Sequence, residues 1–403
     1  MSLPRRVLYV RQAPYPWDVR VEKICTALQR HGCAVEILAR RGADEPRRAD
    51  CNGISVHRVG PQRPRAASLP LPGNPFWQRA LRARVRAFRP DLLIARDIPV
   101  ALFTARAARA ARIPWVLDMA EHYPEAMRSW KKYRGNPLLR AMVGPLRVPD
   151  RIERRAVHEA DGILPVCEEM KQRLQREFDF PPEGIVPVLN TPERARFARV
   201  PERERDPGRL TFGYHGILAE DRDLNTLLRG FDLAASRHPD IHLEIHGDGE
   251  SMPALRELRE RLHNRSRVHL RGPYAHHQLE SLYADVDFGV VSLAVNAFTQ
   301  VTLPNKLFDY AACGRPFIFT ATEPSLRLMR EMRCGIPCRN GDPADIARAI
   351  LEITQADYAT LAANGRRAVQ RTFNWEADSA RMLGLLEQIM DAQIYAPSGS
   401  LAA

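Results

Sequence analysis

Val301-Thr-Leu-Pro-Asn-Lys-Leu-Phe-Asp-Tyr-Ala-Ala-Cys-Gly-Arg-Pro316 reads as a loop that turns into a short helix and stops at Gly314. Pro304 suits the first helical turn, where its missing N–H removes nothing. Gly314 with Pro316 just beyond is the matching stop signal. Phe317-Ile-Phe-Thr320 then reads as a buried strand. A helix that opens at the mouth of an α/β sheet offers unpaired N–H groups and a partial positive charge. Such an end suits phosphate, and Lys306 adds a full charge beside it. Asp309 leaves the same helix face one turn on. Cation and helix end would hold the phosphates of a nucleoside diphosphate, and the carboxylate would accept hydrogen bonds from a ribose diol. Taken alone, the two residues also read as a surface ion pair worth a few tenths of a kcal/mol.

The chain has 403 residues, 45% of them hydrophobic, enough for two cores of ordinary domain size. No apolar run approaches the roughly 20 residues that span a bilayer. Met1-Ser-Leu-Pro-Arg-Arg6 runs straight into the strand Val7-Leu-Tyr-Val10 without the apolar core of a signal peptide. The cysteines at 25, 33, 51, 167, 313, 334 and 338 form no disulfide-like framework, so reduced thiols in a cytoplasmic protein are expected. The formal charge is +12. Lysine occurs only at positions 23, 131, 132, 171 and 306, so the excess is arginine. An arginine bias is weak grounds for nucleic-acid binding, and none is expected.

Strand Val7–Val10, a helix with Val21, Ile24, Cys25 and Leu28 on one face, and strand Ala34-Val-Glu-Ile-Leu38 open a parallel sheet. Further strands are expected at Asp91–Ala95, Trp115–Asp118, Gly162–Val166 and Ile185–Leu189. A polar, aperiodic stretch at 191–209 reads as a linker. A second series follows at Leu210–Tyr214, Ile241–Ile245, Val268–Leu270, Phe288–Leu293 and Phe317–Phe319. The fold class is therefore α/β, with two Rossmann-like doubly wound parallel-sheet domains facing across a cleft. The expected divisions are a first domain at 1–195, a linker at 196–209 and a second domain at 210–374. A helix at 375–392 is expected to pack back on the first domain, ahead of a disordered tail at 394–403. Ligands in such sheets sit beyond the carboxyl ends of the strands.

Four segments in order carry a resemblance: Ala160–Lys171 with Pro187-Val-Leu-Asn190, Tyr214-His-Gly-Ile-Leu-Ala-Glu-Asp-Arg222, and Pro304–Pro316. The chain resembles the two-domain GT-B glycosyltransferases, specifically glycosyltransferase family 4 (group 1), over most of residues 5–392. The resemblance implies that Lys306 and Arg222 contact the donor diphosphate and that Asp309 stands where the family has a ribose-binding glutamate. Asn305 and Leu307 fall within the same donor segment, and Gly216 and Gly247 match small residues where backbone approaches the donor. Asp18 and Arg20 stand in the first loop, where Trp17-Asp-Val-Arg20 replaces the family's glycine-rich sequence, and are taken as acceptor-side. Three further departures are the shorter Asp309, Val301 where the family often has a second glutamate, and Ile217 where it often has an arginine.

Sugar transfer breaks the bond from the anomeric carbon to a diphosphate, and donors aimed at the leaving oxygen lower the barrier. Lys306, Arg222 and the helix end can supply that charge without a metal or a cofactor. The resemblance implies retention of configuration, and no carboxylate reads as a nucleophile, so a front-face route is expected. In Asp118-Met-Ala-Glu-His-Tyr-Pro-Glu125, Glu121 or His122 could orient or deprotonate the acceptor hydroxyl; a turn cap and a plain loop histidine are the alternatives. Asp285-Val-Asp287 reads as structural rather than metal-binding. Basic and apolar residues mix at 76–88, which suits a helix packed on the sheet. They mix again at 130–155, where contact with an anionic membrane is equally readable. The resemblance alone implies a UDP-sugar donor, and a glycan or lipid-linked acceptor at the inner membrane surface of a cytoplasmic enzyme is expected. A nucleotide-sugar epimerase and a non-catalytic basic membrane- or nucleic-acid-binding protein are the rivals.

Overall fold

The computed structural model describes residues 3–16, 18–61, 69 and 73–395. Trp17 and residues 396–403 of the expected tail lie outside them. The chain divides into two compact units, Met1–Leu189 with Asp378–Ala403, and Asn190–Ala377.

The first unit holds β1 (Arg6–Arg11), α1 (Val19–Arg30), β2 (Ala34–Arg40), β3 (Arg48–Cys51), β4 (Ile54–Val59), α2 (Pro75–Phe88) and β5 (Leu92–Arg96). It continues through α3 (Ile98–Ala111), β6 (Trp115–Met119), α4 (Tyr123–Ser129), α5 (Lys131–Arg134), α6 (Pro137–Val143), α7 (Val148–Glu159), β7 (Gly162–Pro165) and α8 (Glu168–Phe178). The seven strands run in the order β3-β4-β2-β1-β5-β6-β7. Leu92, Leu93, Ile94 and Ala95 are all fully buried, as expected of a central parallel strand covered on both faces.

One feature here was not expected, and one expected strand is absent. Residues 48–59 form a hairpin edge in which β3 pairs antiparallel with β4. Its turn, Asn52-Gly53, has positive φ at both residues (55° and 76°), the backbone that an Asn-Gly pair favours. Ile185–Leu189 is not a strand; it makes one isolated bridge, from Ile185 to Ile163. Its Val186 and Val188 N–H groups still donate to the Ile163 and Pro165 carbonyls of β7, at 3.0 and 2.8 Å, so the segment lies along the sheet without forming a regular strand.

The second unit contains β8 (Leu210–His215), α9 (Leu224–Ala235), β9 (Ile241–His246), α10 (Met252–Glu260), β10 (Val268–Gly272), α11 (Leu279–Ala284) and β11 (Phe288–Val291). After it come α12 (Lys306–Ala312), β12 (Phe317–Thr320), α13 (Glu323–Met332), β13 (Gly335–Cys338), α14 (Pro343–Gln355) and α15 (Tyr358–Arg371). All six strands are parallel, ordered β10-β9-β8-β11-β12-β13. β13 carries no long apolar run and escapes a pattern search. Residues 191–209 pack on this unit: Phe197 is buried edge-to-face on Tyr283 at 5.6 Å, and Arg203 pairs with Asp287 at 2.9 Å.

The last helix, α16 (Trp375–Tyr395), starts in the second unit and crosses into the first. It runs through Ile394 and Tyr395, beyond the expected start of the tail at 394. In the first unit it lies against β7, where a Cβ on Gly162 would stand 2.7 Å from Ile389 Cδ1. No helix among the described residues is long and apolar enough to cross a membrane. All seven cysteines are unpaired.

Candidate functional site

The donor segment sits on the short helix α12, which is held by aromatic packing rather than by its own length. Helix formation starts at Lys306, after the cap residue Asn305, so Pro304 precedes the helix instead of lying in its first turn. Gly314 takes φ 63° past the helix end, and Arg315 N–H donates to the Tyr310 carbonyl at 2.9 Å. Tyr310 is buried and lies across the sheet, where a Cβ at Gly289 would meet its ring at 2.5 Å. Its hydroxyl donates to the Gly213 carbonyl at 2.5 Å. On the other side, Gly365 of α15 leaves room for the Ala311 backbone. These contacts set the rotation of α12 and hence the direction of Lys306 and Asp309.

Lys306 is half-buried, with its ammonium 3.8 Å from the centroid of the Tyr214 ring. The ring face is negative, so this is a cation–π contact. Loss of hydration, then the nearby Arg222, push the lysine well below its usual value, while Asp309 and Asp221 pull the other way. A Cβ on Gly216 would stand 3.0 Å from the ammonium, so the glycine keeps this place open. Arg222 ends a single 3-10 turn and is anchored by its backbone, whose carbonyl accepts from Ser292 Oγ at 2.7 Å. Among the described residues its side chain has one ion pair, with Asp221 at 3.5 Å. Two cations thus share a place without strong counter-ions, which disfavours the empty state and favours an anion between them.

Asp309 Oδ2 accepts from the buried Tyr283 hydroxyl at 3.2 Å, so the carboxylate is held from behind. Leu307 points into the core and is fully buried, and its N–H is taken by Pro304 O at 3.2 Å. That removes Leu307 as a donor contact; its side chain anchors the helix. Gly247 also has a different reason from the expected one. With φ 151°, its Cβ would fall on the Gly216 carbonyl oxygen, so the glycine is demanded by the neighbouring loop. Asp287 spends one oxygen on Arg203 and the other on the Thr211 N–H at 2.7 Å, a structural role.

One residue of this site escaped the sequence reading. His215 Nδ1 lies 2.9 Å from the Tyr310 oxygen. Because Tyr310 gives its own proton to Gly213, Nδ1 must be the donor and Nε2 the bare acceptor. Burial, with His246 and Lys306 adding to it, lowers the imidazole to about 3. The only sequence signal was its place at the carboxyl end of β8.

In the first unit, the carboxyl ends of β1, β5 and β6 carry a buried polar cluster. Arg20 is fully buried, with Nε on Asp118 Oδ1 at 2.7 Å and its other nitrogens on the Leu164 and Val188 carbonyls. It ties the strand ends together and has no exposed face for an acceptor. Asp18 caps α1 through the N–H groups of Arg20 and Val21 and pairs with Arg11 at 2.5 Å. The acceptor-side reading of both residues thus gives way to a structural one, because their polar atoms are already used. Asp97, also missed, holds φ 62° and ψ 172°, a backbone that residues other than glycine rarely adopt. Burial pushes its carboxyl up to about 7 against the pull of Arg96, with Glu121 and Asp118 adding to the rise. Glu121 is half-buried beside this cluster, and His122 is buried with Nε2 3.9 Å from Glu153.

Residues 18–191 match the model of the glycosyl transferase 4-like domain, and residues 209–356 match that of the glycosyl transferases group 1. The chain belongs to the group 1 glycosyltransferases. This glycosyltransferase is similar to the mannosylfructose-phosphate synthase of Agrobacterium fabrum, 21% identical over 305 residues. The match covers 70% of the chain and 65% of that protein, so the chain spans less than two thirds of the relative's length. Its fold is shared with the sucrose-phosphate synthase of Thermosynechococcus elongatus, with a TM-score of 0.76 at 17% identity, over 96% of this chain and 100% of that one. It is shared also with Anabaena HepE in complex with UDP, with a TM-score of 0.70 at 14% identity, over 95% and 100% of the two chains. Both units of this glycosyltransferase are parallel-sheet α/β layers of the GT-B type, with one antiparallel edge strand in the first.

Proposed function

We propose that the chain is a metal-independent, retaining glycosyltransferase that takes a sugar from a UDP-sugar and passes it to a glycan or lipid-linked acceptor. The observation that carries this reading is the pairing of Lys306 and Arg222 around an open place at Gly216, with Asp309 one helical turn away. The two cations would meet the diphosphate, and Asp309, held by Tyr283, would accept from the ribose diol. As the glycosidic bond breaks, negative charge grows on the leaving phosphate oxygen. Preorganised cations there lower the barrier by about 3–4 kcal/mol per donor. With that charge supplied by side chains, turnover needs no divalent ion, and the leaving phosphate itself can take the acceptor proton in a front-face step.

UDP is favoured because HepE is described with UDP and with UDP-glucose. Contact with an anionic membrane is supported by α6 and its flanks, where Leu138 (77% exposed) and Leu146 (53%) stand out among Arg134, Arg140 and Arg147. These exposed side chains support the reading of a cytoplasmic enzyme that works at the inner membrane surface.

The test is a thermal-shift series with UDP, GDP and ADP, followed by transfer assays on the UDP-sugar that stabilises most. Lys306→Ala should abolish the shift and the transfer with the fold intact, and EDTA should leave turnover unchanged. Product of the opposite anomeric configuration would sink the retaining route. An isomerised donor formed without acceptor would make the protein an epimerase.

A further inference from the structure

Residues 191–209 were expected to be a linker, yet this segment reaches the carboxylate side of the candidate site. The path runs through Tyr283, which lies in the last turn of α11 and is fully buried. Three rings meet the Tyr283 ring edge-to-face: His215 at 5.0 Å, Tyr310 at 5.0 Å and Phe197 at 5.6 Å. His215 ends β8 and Tyr310 belongs to α12, whereas Phe197, also buried, comes from the segment. With its ring held on these sides, Tyr283 aims its hydroxyl at Asp309 Oδ2, 3.2 Å away. Burial, with Asp309 adding to it, raises the phenol well above its usual value, so it keeps its proton and stays a donor.

Arg315 fixes the backbone of the same tyrosine. It is buried, and its side-chain hydrogen bonds among the described residues go to carbonyls rather than to a carboxylate. Nε donates to the Tyr283 carbonyl at 3.0 Å, and Nη2 to the carbonyls of Pro201 at 3.1 Å and Ala284 at 3.4 Å. Tyr283 and Ala284 close α11, whose last carbonyls have no partner inside the helix. A cation at that end also meets the negative pole of the helix dipole. Burying a guanidinium is costly, and apolar packing would avoid the cost. Only a planar fork, however, ties the end of α11, the residue after Gly314 and the carbonyl of Pro201 to one another.

We infer that Phe197 and Arg315 are positioning residues for the ribose: through Tyr283 they hold the Asp309 carboxylate where it accepts from both hydroxyls of the diol. The inference rests on the glycosyltransferase reading and adds the residues that set this contact. Asp309 is a methylene shorter than a glutamate and cannot gain reach by extending, so its place is set by what stands behind it. The segment that follows the first unit is thereby part of the nucleotide site as well as a connection.

The experiment compares UDP, 2′,3′-dideoxy-UDP and inorganic pyrophosphate by calorimetry on the full chain and its variants. The parent should bind UDP at least about tenfold tighter than the dideoxy compound. Tyr283→Phe keeps the ring and loses the donor, and should bring that ratio to within about threefold of one. Phe197→Leu keeps the apolar bulk, loses the ring edge and should do the same. Arg315→Lys keeps the charge, loses the fork and should fall between these two and the parent. Pyrophosphate should bind the parent and all three variants alike, because Lys306 and Arg222 are untouched. Arg203→Gln is the control, since it unties the same segment at Asp287 without touching Tyr283: its melting temperature should drop while the ratio holds. Should Arg315→Lys fail to fold, Tyr283→Phe and Phe197→Leu still decide. The inference is overturned if these two keep the parent's ratio, or if they weaken UDP, the dideoxy compound and pyrophosphate equally. A parent that binds UDP and the dideoxy compound alike has no ribose contact to position, which overturns it as well. A parent that binds neither UDP nor pyrophosphate would count against the glycosyltransferase reading instead.

Discussion

The ammonium of Lys306 lies 3.8 Å from the centroid of the Tyr214 ring, on the side left open by Gly216. The ring offers a negative face but no proton acceptor, so the lysine is attracted without being neutralised. A phosphate oxygen would supply what is missing.

Lys306 should therefore make UDP binding pH-dependent in a particular sense. Its value is lowered by burial and by Arg222, so the unliganded site loses the proton at a pH below the usual lysine range. Binding a diphosphate favours the charged form and draws the proton back. UDP affinity should fall as pH rises through that range, with proton uptake visible as a buffer-dependent calorimetric enthalpy. Lys306→Arg, which cannot deprotonate, should flatten the profile. An equally steep profile in the arginine variant would exclude Lys306 as the titrating group.

His215 should set part of the acid limit of stability. The folded imidazole titrates near 3, and the unfolded one near 6.5. The unfolded chain thus binds the extra proton first, so this contribution is complete above pH 6.5 and is lost as pH falls toward 3. At pH 5 the loss is about 2 kcal/mol. His215→Asn keeps a donor for Tyr310 and cannot charge, so its urea midpoint should drop less between pH 7 and pH 5 than that of the parent.

Gly247→Ala should be costly, because the glycine is buried against the Gly216 loop. Its Cβ would occupy the Gly216 carbonyl oxygen, and φ 151° strains any side chain. The expected destabilisation is about 3 kcal/mol or more, seen as a lower melting temperature together with weaker UDP binding. Gly32→Ala is the comparison, because its Cβ would meet nothing within 4 Å and only its φ of 84° is unfavourable.

Leu138→Glu with Leu146→Glu should leave stability within about 0.5 kcal/mol, since both side chains are largely exposed. Co-sedimentation with anionic vesicles should fall markedly, and soluble-acceptor turnover should not change. Retained sedimentation would remove α6 as the membrane contact.

Much of the candidate site's layout was legible because it is local. Lys306 and Asp309 lie one turn apart, and that spacing alone puts them on one face. The strand series was legible for the same reason, since continuous apolar runs such as Leu92–Ala95 mark fully covered strands. Arg20 was misread because its partners, Asp118 of β6 and the carbonyls of Leu164 in β7 and Val188 beyond α8, come from three separate segments of the chain. Leu307 was misread because a motif names a position but not the direction of its side chain.

By itself, then, the sequence determined the two α/β layers and the spacing of the donor segment, because hydrophobic period and helix geometry act over a few residues. Tertiary structure alone decided which side chains are already spent. His215 meets Tyr310 across 95 residues of chain, and Arg20 is consumed inside the frame. Whether a charge is satisfied depends on groups brought close in space, and local periodicity carries no record of them.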